Sequence, residues 1–420
     1  MTESTLRGWP LWQRLVFRFG AVCLPLWMLT FPYHRPYLPD FGKLLFPLTV
    51  TAAEWSAVYI WKIPKSYLPE IANDSTLLYV HMANVLIVSL LVSVVWSLMD
   101  KKRLAYPQLY YLLRVAIRYF LATVMITYGL VKVFKYQFYL PEPNTLYTPI
   151  GEVPRDLLFW STMGTSRAYS VFSGCLEVLA GGLFFWRRTT LVGALLALGI
   201  MANVLAINLS FDISVKVFSM LLCLLSCVLI APSMRGLLNF LLGKQGVAAR
   251  LWEPLNWDGW RRPAYLLAKS LLLAWLLLDA MGPYFVTGNF NDDHAPRPAL
   301  HGAYEVKQLV LNGDTIAPDL RNEMRWRRVF IHRKGFFEIQ TMDGRMQDYA
   351  LEVDTLVQTI KFVDPVKPAF GEFEYHLIAD STMVLAGQMN LDTLAVTLRQ
   401  LDWRNLPLLK GEFHWTSDEF

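Results

Sequence analysis

Leu77–Leu98 reads LLYVHMANVLIVSLLVSVVWSL, twenty-two residues with no acidic or basic side chain apart from His81. A helix needs roughly 20 apolar residues to cross the hydrocarbon core of a bilayer. This stretch therefore predicts a membrane span, and the rest of the chain repeats the pattern. Val16–Phe31, Leu112–Phe134, Ser166–Trp186, Thr189–Leu209, Val215–Ala231 and Tyr265–Met281 give six more. Arg7, Arg14 and Arg18 precede the first run, but no small-residue cleavage site follows, so it reads as a retained span. Leu44–Trp61 is apolar but contains Glu54 and is flanked by prolines; it reads as re-entrant, interfacial or an eighth span, with the non-spanning reading preferred.

Composition agrees. Of the 420 residues, 54% are hydrophobic and only 17% charged, against about 25% charged in soluble domains. This excludes disordered and collagen-like chains and leaves nucleic acid without a basic tail to meet it. The net charge of +5 is modest. Cys23, Cys175, Cys223 and Cys227 all lie in apolar runs, so neither a disulfide framework nor a thiolate metal site can be written. Thirteen Lys and Arg residues fall in the loops assigned to one side: Arg7, Arg14, Arg18, Lys101, Lys102, Arg103, Arg187, Arg188, Arg235, Lys244, Arg250, Arg261 and Arg262. The positive-inside rule puts that side, with the N-terminus, in the cytoplasm. Seven spans then place the C-terminal part outside the cytoplasmic membrane.

Beyond Pro283 the pattern changes. Thr287–Leu300 is rich in Asn, Asp, Pro and His and predicts a solvated linker. Period-two alternation then marks short strands at Tyr304–Leu311, Arg328–His332, Phe336–Met342, Tyr349–Val353, Thr359–Val363, Glu372–Ile378, Met383–Gly387 and Leu394–Leu398. Asp343-Gly344 is a hairpin signal. Eight strands predict a closed antiparallel barrel, lipocalin-like in outline, since closure removes exposed edges. Leu309, Phe330, Ile339, Leu351, Phe373, Leu385, Leu398 and Trp403 are its expected interior, filled rather than hollow. Arg325, Arg327, Arg328, Arg333 and Lys334, around Trp326 and Phe330, read as a solvated strand face, with lipid headgroups as the sharper alternative.

Polar residues recur at set positions within the apolar runs. Tyr128, Gly129 and Lys132 precede Gln137 and Phe138. Met163, Gly164, Ser166, Tyr169, Phe172, Gly174, Glu177, Gly181 and Gly182 follow. Then come Arg187, Arg188, Thr189, Thr190, Gly193 and Ala194, and finally Asn203, Asn208, Asp212, Val215 and Lys216. The pattern over roughly 112–243 resembles the DoxX-like family of bacterial membrane proteins, in its longer form with extra N-terminal spans and a C-terminal β domain. The stretch Glu152-Val153-Pro154-Arg155-Asp156 departs from the longer relatives, which are small and Ser-Pro-containing there. The resemblance implies a four-helix membrane core. For some members it also implies a subunit role in quinone-linked sulfur oxidation or thiol redox, with a redox or envelope protein as partner. It divides the chain into N-terminal spans (1–110), a DoxX-like core (111–245), a cytoplasmic loop with the last span (246–286), a linker (287–301) and the barrel (302–420).

An ionisable group inside a span is costly unless it is paired or faces a cavity. Tyr128, Lys132, Gln137, Glu177, Asn203, Asn208, Asp212 and Lys216 are therefore the candidate ligand-binding residues, six of them expected to converge on one outward-facing polar site: Lys132, Glu177, Asn203, Asn208, Asp212 and Lys216. The plainer account makes Lys132–Glu177 and Asp212–Lys216 ion pairs that fix helix packing, with the asparagines as interhelical hydrogen bonds. Gly174, Gly181 and Gly182 are read as permitting close helix approach. No HExxH, Walker A, GxGxxG or Gly-x-Ser-x-Gly is present. His294 and His301 could meet a metal with Asp292 and Asp293, though a solvated linker is the preferred reading. Three functions remain: a membrane redox subunit whose outer pocket takes a quinone headgroup or sulfur compound, a binding and assembly protein whose external barrel engages a ligand or partner, and a small-anion transporter, which the lack of clear inverted repeats among seven spans argues against.

Overall fold

The computed structural model describes residues 8–31, 41–68, 73–244, 259–363, 370–379, 381–410 and 415–416. Arg7, Arg35, Arg250, His34 and His414 lie outside them, and so does the side chain of Arg261. The chain divides into two compact units: Met1–Phe134 with Val171–Phe290, and Lys135–Ser170 with Asn291–Phe420. Contacts thus group residues 135–170, which interrupt the apolar helices in sequence, with the C-terminal part.

The first unit is helical. It contains α1 (Leu11–Thr30), α2 (Phe41–Tyr59), α3 (Thr76–Met99) and α4 (Pro107–Val133). The second unit's α5 (Pro143–Leu146) and α6 (Arg155–Thr165) follow, then α7 (Arg167–Leu183), which begins in the second unit and runs into the first. The helical unit continues with α8 (Thr190–Ser210), α9 (Lys216–Ile230), α10 (Met234–Leu241) and α11 (Arg261–Thr287). Every expected span is helical. Among the described residues five helices are long and apolar enough to cross a membrane: α3, α4, α8, α9 with its continuation, and α11. The helices α1, which carries Arg14 and Arg18, and α7, 17 residues long with Glu177, fall outside that set. Starts are set locally. Ser75 caps α3 by accepting from Leu78 N at 3.3 Å, and Pro107 opens α4 at a position where its missing N–H is not needed. Leu90, Leu91, Val95 and Leu98 on α3 stay exposed, as expected of a lipid-facing surface, while Leu121, Val124 and Met125 of α4 are fully buried.

The second unit is built on β1 (Gly302–Leu311), the two-residue β2 (Asp314–Thr315), β3 (Trp326–His332), β4 (Phe336–Thr341), β5 (Met346–Asp354), β6 (Thr359–Val363), β7 (Phe370–Ala379), β8 (Thr382–Met389) and β9 (Asp392–Gln400). Neighbours pair antiparallel, and β9 returns to β1 with Leu309 opposite Val396, closing an eight-stranded barrel to which β2 adds a short flap. All eight expected strands form. Gly344 sits in the turn between β4 and β5 with φ +95°, a backbone that only glycine adopts without strain. Eight strands leave an interior just wide enough for side chains to fill. Phe337 stacks on Phe362 at 4.7 Å and Phe362 on Phe373 at 5.3 Å, and Leu309, Ile339, Leu385 and Leu398 complete a filled core.

Two expected interior residues lie elsewhere. Phe330 and Trp403 are buried on the outside of the wall, in a cluster with Ala303 packed by Leu146 and Tyr147 at α5. That is why Val329, Phe330 and Ile331 are all buried although strand side chains alternate. Leu351 is only half-buried. The arginine run is a solvated face only in part: Arg327 and Lys334 are exposed as expected, but Arg325, Arg328 and Arg333 are not. Arg325 is buried and donates to the Trp326 and Val306 carbonyls at 2.7 and 3.2 Å. Arg328 donates to Gln340 Oε1 at 3.0 Å and lies 4.7 Å over the Tyr147 ring.

Candidate functional site

In the helical unit, α4 and α7 touch backbone to backbone. A Cβ on Gly129 would stand 2.6 Å from the Gly174 carbonyl oxygen, and one on Gly174 would stand 2.5 Å from that of Gly129. A Cβ on Gly181 would meet the Ile126 side chain at 2.6 Å and the Ala122 carbonyl at 3.0 Å. Seven residues forward on α7 match about seven backward on α4, so the helices run antiparallel. Gly174 and Gly181 act as the sequence suggests, whereas Gly182 faces open space. Between these contacts Glu177 meets Lys132 in an ion pair, Nζ to Oε1, with both side chains buried. Glu177 Oε2 is buried with no hydrogen-bond partner among the described residues. Tyr128, one turn before Lys132, lies within electrostatic reach of Glu177, with its ring 5.8 Å from that of Phe218 on α9.

A second polar group sits at the turn from α8 to α9. Asn208 is buried and donates to Ser219 Oγ at 3.2 Å and to the Val215 carbonyl at 3.4 Å. Asp212 has φ +54°, so the helix has ended before it, and its carboxylate pairs across the turn with Lys216 at 2.7 Å. The residue that holds this turn is Asp74, which sequence reasoning missed. Its carboxylate accepts from Lys216 N at 2.8 Å and Val217 N at 3.2 Å, satisfying two of the free donors at the start of α9, and its own N–H donates to the Ser214 carbonyl at 3.1 Å. The sequence Asn73-Asp74-Ser75 before an apolar run reads as a cap for α3, and nothing local shows that Asp74 caps a helix 142 residues away.

The expected convergence of Glu177, Lys132, Asn203, Asn208, Asp212 and Lys216 is thus not formed as one bonded cluster. Lys132 and Glu177 make one group and Asn208, Asp212 and Lys216 another, while Asn203 is exposed on α8. Gln137 belongs to the other unit, where its Oε1 is buried without a partner among the described residues.

The second unit holds a denser arrangement that the sequence presents as a linker. Residues 291–301 are solvated only in part: His294, Pro296, Pro298 and Ala299 are exposed, but Asp292 is buried and the side chain of His301 is 3% exposed. Glu142, just before α5, is buried and accepts from His301 Nε2 at 2.8 Å and from Arg333 N at 3.3 Å. The Arg333 guanidinium pairs with Asp292, reaches Glu142 Oε1 at 3.8 Å, and covers the Tyr139 ring at 4.1 Å. Arg297 donates to the Asp292 carbonyl at 2.8 Å. Asp293 accepts from Leu140 N at 2.7 Å and pairs at 3.5 Å with Lys135, which also donates to the Gly164 carbonyl. Lys135 is fully buried. Burial alone would raise the Glu142 carboxyl, but the His301 hydrogen bond, the charges of His332 and His301, and the Arg333 N–H hold it below its ordinary value. Burial pushes the Lys135 ammonium down, opposed by Asp293. No group of three or more His, Cys, Asp or Glu residues suited to a metal ion occurs among the described residues.

His301 borders three adjoining clefts. One of about 530 Å³ is lined by Glu142, Arg167, Asp293, Arg297, Trp403 and Arg404 among others. A second of about 670 Å³ reaches Tyr304, Leu377, Ile378 and Gln400. A third of about 320 Å³ lies against Asp402 and Trp403. The His301 ring stands edge-on to Trp403 at 5.7 Å. Its side chain is 3% exposed, and Nδ1 has no hydrogen-bond partner among the described residues.

Glu338 of β4 faces α5 and carries the largest shift in this unit with a stated value. Burial, with Asp348 and Glu142 adding and Asn144 opposing, pushes its carboxyl up to about 7. The folded state therefore binds the proton more tightly than the unfolded chain does. Stability is full below the ordinary value of 4.5 and is lost as pH rises from there to about 7. The loss is on the order of 3 kcal/mol. His332, pushed down by burial, has the opposite slope below its ordinary 6.5, so the readout is the difference between proteins. Glu338→Gln is expected to remove the decline, and the ratio of α5 amide protection between wild type and variant, after correction for the intrinsic pH dependence of exchange, should fall from pH 4.5 to about 7. An unchanged decline in the variant would refute the assignment.

No known family profile matches the chain. Among curated proteins, a relative described as "Uncharacterized protein YwoB", from Bacillus subtilis strain 168, is 32% identical over 122 residues, covering 27% of this chain and 71% of the relative. No solved structure matches.

Proposed function

The chain belongs to the same family as YwoB of Bacillus subtilis, and we propose that it is a membrane-anchored recognition protein. In this reading the helices anchor it in a bacterial cytoplasmic membrane with the N-terminus inside, and the barrel unit binds a ligand outside. One observation carries the reading: side chains fill the barrel, yet clefts open around His301, just before β1, where a buried nitrogen has no hydrogen-bond partner among the described residues. Pockets of several hundred Å³ with a few convergent polar groups are the usual form of a small-molecule site.

The orientation rests on the basic residues of the loops. Leu356, 93% exposed in the turn between β5 and β6, gives a reporter. Leu356→Cys should react with a membrane-impermeant maleimide in intact cells, and protection until lysis would overturn the orientation. Mass spectrometry of protein purified in mild detergent should find a small molecule that is lost from His301→Gln. Identical contents in both would overturn the recognition role.

A second reading is supported by Glu177. Its unpaired Oε2 beside Lys132 and Tyr128 could accept from the hydroxyl of a reduced quinone headgroup, as the DoxX-like resemblance implies. Electrons would come from a partner protein. A quinone that co-purifies with the wild type and not with Glu177→Leu would favour this reading.

A further inference from the structure

Each side chain around His301 can be placed by what it is already bonded to. Glu142 is held by His301 and Arg333, Asp293 by Lys135 and the Leu140 N–H, and Arg297 by the Asp292 carbonyl. Two cations bordering the cleft of about 530 Å³ have no ion pair among the described residues: Arg167, which is exposed, and Arg404, which lies 5.1 Å over the Trp403 ring. The third unmatched group is His301 Nδ1, which is buried and has no hydrogen-bond partner among the described residues, while Nε2 is committed to Glu142. The site thus offers two uncommitted guanidinium groups and one ring nitrogen.

We propose that this cleft binds a phosphate group, held by the Arg167 and Arg404 guanidinium groups and met by His301 Nδ1. Guanidinium forks match phosphate oxygens in charge and spacing. A hydrogen phosphate also carries both an O–H and a charged oxygen, so it can pair with Nδ1 as acceptor or as donor. A carboxylate has no O–H to give. Glu142 holds the ring in place, as a carboxylate commonly orients a functional imidazole. Trp403 supplies a flat apolar wall beside the phosphate for the rest of an esterified ligand. This inference rests on the recognition role proposed above and adds the ligand's chemistry.

The test is calorimetric titration of the full chain in mild detergent, at constant ionic strength against chloride, with inorganic phosphate, succinate and dihexanoyl phosphatidate below its micellar concentration. Saturable binding of phosphate is expected, weakened at least tenfold by Arg404→Gln and by His301→Gln. The glutamine at 301 keeps an amide donor toward Glu142 while removing Nδ1, and the exposed Arg404 can be changed without disturbing the fold. Phosphatidate binding more tightly than inorganic phosphate assigns a lipid headgroup, and the reverse assigns a free phosphate compound. Absence of saturable phosphate binding, a preference for succinate, or equal binding by the variants would overturn the proposal. If phosphate fails while a co-purified molecule still depends on His301, the phosphate assignment falls and the recognition role stands.

Discussion

Lys132→Met is expected to destabilise the helical unit by roughly 3–5 kcal/mol. Both members of the Lys132–Glu177 pair are buried, and Glu177 Oε2 already lacks a partner. Removing the ammonium leaves a carboxylate with neither oxygen matched, in surroundings where water cannot replace the lost interaction. The antiparallel glycine contact closes the escape route. Gly129 and Gly174 leave less than a methyl group between the backbones, so the helices cannot slide to expose Glu177 without breaking their closest contact. The double variant Lys132→Met, Glu177→Leu is expected to recover most of the loss, because an ion pair replaced by apolar side chains of similar size is often nearly neutral. The measurement is thermal unfolding of the detergent-purified protein for the wild type, both single variants and the double variant. If Lys132→Met melts with the wild type, the pair is not a structural element. Asp212→Ala provides the contrast. Its carboxylate is 82% exposed and its bond to Lys216 spans a surface turn, so it is worth well under about 1 kcal/mol.

The contrast also explains what the sequence could tell. Period-two alternation survives into the structure wherever one face of a strand is wet. Thr359–Val363 is found at its expected bounds, with Ile360 and Phe362 inward and Lys361 exposed. It misleads at Phe330 because a distant segment buries the outer face there too. Helical runs were legible for the same reason that lipid selects them, which is continuous apolarity. Rotation about the helix axis was the weak point. Asn203 and Asn208 are five residues apart, which is about 140° around an α-helix, so one is buried and the other exposed. The spacing of Asn208, Asp212 and Lys216 suggests one face only if the helix continues, and Asp212 adopts a left-handed backbone.

The network on Glu142 was illegible for a different reason. Its partners are His301 and Arg333, separated from it by as many as 191 residues. No periodicity or local cap links them. The composition of residues 287–301, polar and rich in Asp and Pro, is what a solvated linker and a buried polar network have in common. Only the antiparallel pairing of β1 with β3, which brings the start of β1 beside the end of β3, separates the two.

Glu142→Ala is therefore expected to have an effect as large as the loss of Lys132, roughly 3–5 kcal/mol. The substitution removes the acceptor of His301 Nε2 and of the Arg333 N–H and leaves the Arg333 guanidinium with Asp292 as its remaining carboxylate. Buried donors left without acceptors cost their full desolvation. Segments 135–147 and 291–301 should then exchange amide protons together, and faster than the strands of the barrel. Glu142→Gln divides the effect. It keeps one carbonyl oxygen for His301 or Arg333 and loses only the charge, so the neutral-pH loss should be smaller. Because the Glu142 carboxyl is held below its ordinary value, its contribution is complete above about pH 4.5 and is lost as pH falls through the folded value. The Gln variant should lack that acid-side loss. Glu338 acts over the adjoining window with opposite sign, losing stability from about pH 4.5 to about 7. Melting curves of the two Gln variants should therefore flatten opposite limbs of the profile, acid for Glu142 and neutral for Glu338. Both variants flattening the same limb would show that one carboxyl, rather than two, controls the packing of α5 against the barrel.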